Sequence, residues 1–151
     1  ASFSSLGLQW DEGRWSVSAE LARTTADAFT NSATGAYFAL ARRFGSLTPY
    51  VSLAKQWQDE PLVNVAEAHS DAERYLITSF NRSRNQAQRS LTAGVRWDVL
   101  HNAAIKAEFA HMRTDSGAHC SFIARDNDNA FAPGLDHQSI NLMSISVDVV
   151  F

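Results

Sequence analysis

The sequence lacks several things that common protein chemistries require. It holds a single cysteine, Cys120, which excludes an intramolecular disulfide framework. It has no run of 18 or more apolar residues, so no transmembrane helix is expected. Positive charge is in deficit, with 13 Lys and Arg against 16 Asp and Glu. A net charge of −3 excludes a broad basic face, and no nucleic-acid partner is expected. No glycine-rich phosphate loop, Gly-x-Ser-x-Gly elbow or carboxylate pair at a recognisable spacing occurs. His119, Cys120 and His137 match no metal template. The reading is therefore no enzyme, no catalytic residue, no metal and no cofactor. The 151 residues suit one domain, 45% hydrophobic with dispersed aromatics, which excludes general disorder. A chain opening on Ala1 reads as a mature or cut form.

What the sequence has in abundance is alternation with period two. Leu6, Leu8 and Trp10 alternate with Gly7, Gln9 and Asp11. Across Arg14–Arg23 the apolar positions are Trp15, Val17, Ala19 and Leu21, against Arg14, Ser16, Ser18 and Glu20. Ser90–Val99 repeats the pattern, with Leu91, Ala93, Val95, Trp97 and Val99 on one face. Weaker alternation marks Ala36–Phe44, Thr48–Trp57 and Asn102–Thr114, and the chain closes on Met143, Ile145, Val147, Val149 and Phe151. Sustained alternation predicts half-buried strands. Several run 10 to 13 residues, where a globular strand has about 5–6 and a membrane-spanning strand about 9–11.

Connections alternate between short and long. Tight turns stand near Glu12-Gly13, Gly45-Ser46 and His101-Asn102; long connections fall near Ala26–Ala33, at about 60–86 and at about 115–137. That rhythm, with Trp10, Trp15, Phe44, Trp97 and Phe151 at the short-turn ends as an aromatic girdle, predicts a transmembrane antiparallel up-and-down β-barrel. The alternation of directions counts seven strands. A strand at Arg74–Phe80 would break the parity, and the rival pattern there, Pro61 followed by Leu62, Val65, Ala66, His69, Ala72 and Leu76, predicts a short helix within a loop. Single-chain bacterial barrels have an even number of strands, so seven points to part of a larger barrel. Two alternatives share the alternation. One is a small closed eight-stranded barrel with a structural or adhesive role, the other a soluble β-barrel or sandwich that binds a ligand.

Three stretches resemble the C-terminal half of Gram-negative porins. Arg43-Phe44-Gly45 with Leu47-Thr48-Pro49-Tyr50-Val51-Ser52 resembles the R-x-G-x-L-T-P-Y hairpin of the general porin-like family. The segment from Gln88 to Asp98, followed by Asn102-Ala103-Ala104-Ile105-Lys106-Ala107-Glu108-Phe109, resembles that family's S-x-G-x-R-x-D and N-x-A-L-K-x-E-Y strand pair. Ser144–Phe151 resembles its terminal strand. The resemblance implies a sixteen-stranded trimeric channel of the outer membrane, passing small hydrophilic solutes. It also implies Phe151 as the signal to the barrel assembly machinery, and lipid and a homotrimer as partners.

Candidate pore-lining charges are Arg14, Glu20, Arg43, Arg96, Asp98, Lys106, Glu108 and Asp148. Against this stands a structural reading, in which Arg96–Asp98 and Lys106–Glu108 neighbour across adjacent strands and satisfy each other. Arg74, Arg82, Arg84 and Arg89 form the basic cluster; opposite Asp126, Asp128 and Asp136 of the last loop they would set a transverse field at a constriction. The plainer reading of that cluster is a solvated loop. Arg125-Asp126-Asn127-Asp128-Asn129 has the acidic spacing of a calcium loop without the Gly and closing Glu.

Overall fold

The computed structural model describes residues 1–25, 32–58, 63–115, 118 and 139–150. Seven strands dominate: β1 (Ser2–Asp11), β2 (Trp15–Thr25), β3 (Ala33–Arg42), β4 (Leu47–Gln58), β5 (Gln88–Leu100), β6 (Ala103–Thr114) and β7 (Ser139–Val149). They form one antiparallel up-and-down sheet in chain order, β1 to β7. Its edges, β1 and β7, do not pair with each other among the described residues.

Local chemistry explains the short connections. Gly13 at φ 85° and Gly45 at φ 60° take the left-handed backbone that a side chain resists. Asp11 Oδ1 accepts from the Gly13 amide at 2.6 Å. Phe44 and Leu47 exchange two backbone hydrogen bonds around Gly45-Ser46, the closure of a two-residue hairpin. At the third turn the β5–β6 register shifts between Asp98 and Leu100, and Asn102 Nδ2 donates to the Val150 carbonyl at 3.2 Å.

The one described helix, α1 (Asp71–Arg84), is preceded by a 3-10 turn at Val65–Glu67. The helix begins ten residues later than the Pro61 reading, and the reason is a variant of the capping box whose return bond comes from the residue before the N-cap. The Glu73 amide donates to Ser70 Oγ, and Glu73 Oε2 accepts from the His69 amide at 2.7 Å. Asn81 clamps Val63 with two hydrogen bonds, donating to its carbonyl and accepting from its amide. The helix thus packs on the 3-10 turn of its own loop and on no described strand. No described helix is long and apolar enough to cross a membrane.

A hydrophobic core is missing from the described residues: the buried apolar side chains are three alanines, Ala87, Ala104 and Ala118. The burial that exists is inverted. Along β4 the odd positions Leu47, Pro49, Val51, Leu53, Lys55 and Trp57 are exposed, while Thr48, Tyr50, Ser52, Ala54, Gln56 and Gln58 are half-buried. Over Gln88–Val95, β5 follows the same rule, with Leu91, Ala93 and Val95 outside Ser90, Thr92 and Gly94. A water-soluble strand with one buried face has the opposite arrangement.

Candidate functional site

The strand register carries the alternation across the sheet and divides its side chains into two faces. One register row runs Asp11, Ser16, Ala41, Tyr50, Gly94, Glu108 and Ser144 through all seven strands. Rows parallel to it place Glu20, Arg96, Lys106, Asp98 and Asp148 on the same, polar face. The opposite face carries Leu8, Val17, Leu40, Val51, Leu91, Phe109 and Met143 at alternating positions.

The acids segregate to one face. Every acid in the described strands, Asp11, Glu20, Asp98, Glu108 and Asp148, lies on the polar face, with two bases, Arg96 and Lys106. The charges on the apolar face are all basic: Arg23, Arg42, Lys55, Arg89 and Arg113.

The charges of the polar face are arranged in two groups. Arg96 Nε donates to Asp98 Oδ1 at 2.8 Å, and its terminal nitrogen reaches Asp148 Oδ2 at 3.6 Å. That reach crosses β6 above Ala104, which pairs with both Asp98 and Asp148 and is small enough to be passed over. Lys106 Nζ stands 3.0 Å from Glu108 Oε1 and 5.5 Å from the Tyr50 ring centre, and Ser144 Oγ donates to Glu108 Oε2 at 3.4 Å. The expectation of cross-strand partners is corrected: Arg96–Asp98 and Lys106–Glu108 are each two residues apart on one strand. Cross-strand contact comes instead from Asp148, Ser144 and Tyr50. Arg96 is 47% exposed and Asp98 36%, so such pairs contribute about 0–1 kcal/mol at most. Their consequence is the field they set rather than stability.

Arg14 and Arg43 stand outside the strands, in the short turns, joined by a 2.8 Å bond from the Arg43 amide to the Arg14 carbonyl. Arg74, Arg82 and Arg84 fall on α1. Arg89 does not join them: it starts β5 on the apolar face, opposite Lys55 and Arg113. Trp10, Trp15, Phe44 and Trp97 all sit at the short-turn end, where the Arg42 guanidinium stacks on Trp15 at 4.7 Å and Phe44 at 4.6 Å. Phe151, Asp126, Asp128, Asp136, His119, Cys120, His137 and the 125–129 segment lie outside the described residues. No group of His, Cys, Asp or Glu set to hold a metal occurs among the described residues.

Sequence reading missed Tyr50 and Ser144 as members of the polar face's network. The signal for Tyr50 was its parity with Thr48 and Ser52. Its closeness to Glu108 follows only from the register of three strands.

No family model matches the chain, and neither a curated protein nor a solved structure matches it.

Proposed function

We propose that this chain forms part of an outer-membrane β-barrel of the porin type, through which small hydrophilic solutes diffuse passively. The inverted burial of β4 and β5 carries the reading. Lipid would cover the exposed apolar face, a cover that neither α1 nor a second sheet supplies among the described residues. The half-buried polar face would line a wet lumen. Hydrogen bonding along the ladder satisfies the backbone inside hydrocarbon, which is what lets a sheet cross a membrane once its edges are closed. Strands of 10–13 residues match the roughly 9–11 needed for a tilted crossing.

The open edges of β1 and β7 require further strands, because a long exposed edge is a template for unwanted pairing. Seven strands do not make an even-numbered barrel, so the described sheet is read as one arc of a larger barrel, and a trimer of such barrels follows from the sequence resemblance. The assembly role of Phe151 and the Gram-negative outer-membrane location rest on the same resemblance. The mechanism involves no bond making. Five carboxylates against two cations on the lumen side give the pore a negative field that favours cations.

The protein extracted from its host membrane tests this. Channel-like conductance in planar bilayers is the expected outcome. Protein that stays in the aqueous phase through membrane fractionation would instead favour a soluble ligand-binding sheet.

A further inference from the structure

Three of the apolar face's five bases fall in one register row. Lys55 pairs with Arg89, and Arg89 pairs with Arg113, so the three cross β4, β5 and β6 side by side. Adjacent strands lie about 4.8 Å apart, which puts three cationic stems within roughly 10 Å of one another. The row directly beneath is Phe38, Leu53, Leu91 and His111. These two rows line an open depression of about 550 Å³. Like charges in a row repel, and no acid within the strands shares that face, Asp115 following Arg113 just beyond β6.

The row's height matters. Lys55 lies eight residues along β4 from Leu47, which pairs with Trp97 at the short-turn end. That is roughly 26 Å of strand at about 3.3 Å per residue, which a tilt of about 35–45° shortens to about 20 Å of height, against a lipid-facing band of about 25 Å. The basic row and the tryptophan end thus stand near opposite borders of that band, from which long basic stems reach the headgroups.

We infer that Lys55, Arg89 and Arg113 hold the phosphate of an anionic lipid of the leaflet at the long-loop end, with an acyl chain lying over Phe38, Leu53 and Leu91. A phosphate offers negative charge and several acceptor oxygens, and arginine's planar fork matches it bidentately. The apolar floor distinguishes a lipid from a free anion. This inference rests on the proposed membrane reading.

The test is native mass spectrometry of the detergent-extracted protein, stripped of lipid and offered phosphatidic acid or phosphatidylcholine with identical acyl chains. Retention of phosphatidic acid at least tenfold above phosphatidylcholine is expected. The triple variant Lys55→Gln/Arg89→Gln/Arg113→Gln loses that preference, Arg89→Gln alone weakens it severalfold, and Arg42→Gln at the opposite end leaves it intact. Vesicle flotation of each variant separates lost binding from lost folding. Protein that floats with vesicles but holds both lipids equally, or single and triple variants that float and bind as wild type, overturn the lipid site alone. Protein that neither floats nor enters detergent overturns the membrane reading and the site with it.

Discussion

Tyr50 on β4 occupies the space that any side chain at Gly94 on β5 would need. A Cβ at position 94 would meet the Tyr50 ring and hydroxyl and the Ala107 carbonyl. The glycine is thus required by a neighbour, and the ring shields backbone that a strand glycine leaves bare. Gly94→Ala is therefore expected to destabilise the folded barrel by about 1–3 kcal/mol through overpacking. In the Tyr50→Ala background the same change costs less, because only the Ala107 carbonyl is then met, so a double-mutant cycle in urea gives a measurable coupling energy. Additive losses would mean that the two side chains do not compete for this space.

The Arg96 bridge to Asp98 and Asp148 makes a prediction about permeation. Asp98→Asn with Asp148→Asn leaves Arg96 without its two carboxylates and shifts reversal potentials in a KCl gradient toward anions. Arg96→Gln shifts them toward cations. Stability changes little in either case, since exposed ion pairs contribute at most about 1 kcal/mol. Unchanged reversal potentials in both variants would remove these residues from the pore.

The two faces of β4 answer differently to a charge. Val51→Arg places a cation in the apolar band midway between Leu47 and Lys55 and is expected to cost about 2–4 kcal/mol of folding into lipid vesicles. Ser52→Arg, one residue away on the half-buried polar face, costs far less. Equal losses at both positions, measured by the heat-dependent gel migration of folded barrels, would contradict the assignment of faces.

The loop helix is a separate unit. Ser70→Ala removes the hydroxyl that accepts the Glu73 amide, a loss of about 1 kcal/mol in the helix. Amide exchange in α1 should accelerate while exchange in β4 and β5 stays unchanged, because α1 packs on no described strand. Faster exchange in the strands as well would show that the helix supports the sheet.

Strand order and direction were legible because each strand repeats an apolar residue every second position long enough to exclude a helix. Where the pattern thinned, the boundary was lost: Ser2–Ser5 belongs to β1, yet its serines hide the alternation. The helix start was misplaced because Leu62, Val65 and Ala66 have helical spacing, whereas the local hydrogen bonds of Ser70 and Glu73 set the first turn. The Ser-x-x-Glu signal stood in the sequence. The Tyr50–Gly94 contact and the Lys55–Arg89–Arg113 row were not legible, since each joins segments more than twenty residues apart through a register that only the paired strands define. Arg89 shows the cost: grouped with Arg82 and Arg84 by proximity in sequence, it stands on the apolar face of β5.

Cysteine accessibility along β4 tests the central claim most directly. Single cysteines at Val51, Ser52, Leu53 and Ala54, in a Cys120→Ser background, are exposed in intact membranes to a membrane-impermeant thiol reagent. Labelling of positions 52 and 54 with protection of 51 and 53 is the predicted result. Labelling of 51 and 53 with protection of 52 and 54 would make the apolar face water-exposed, and uniform labelling would leave neither face in lipid; either outcome contradicts the barrel.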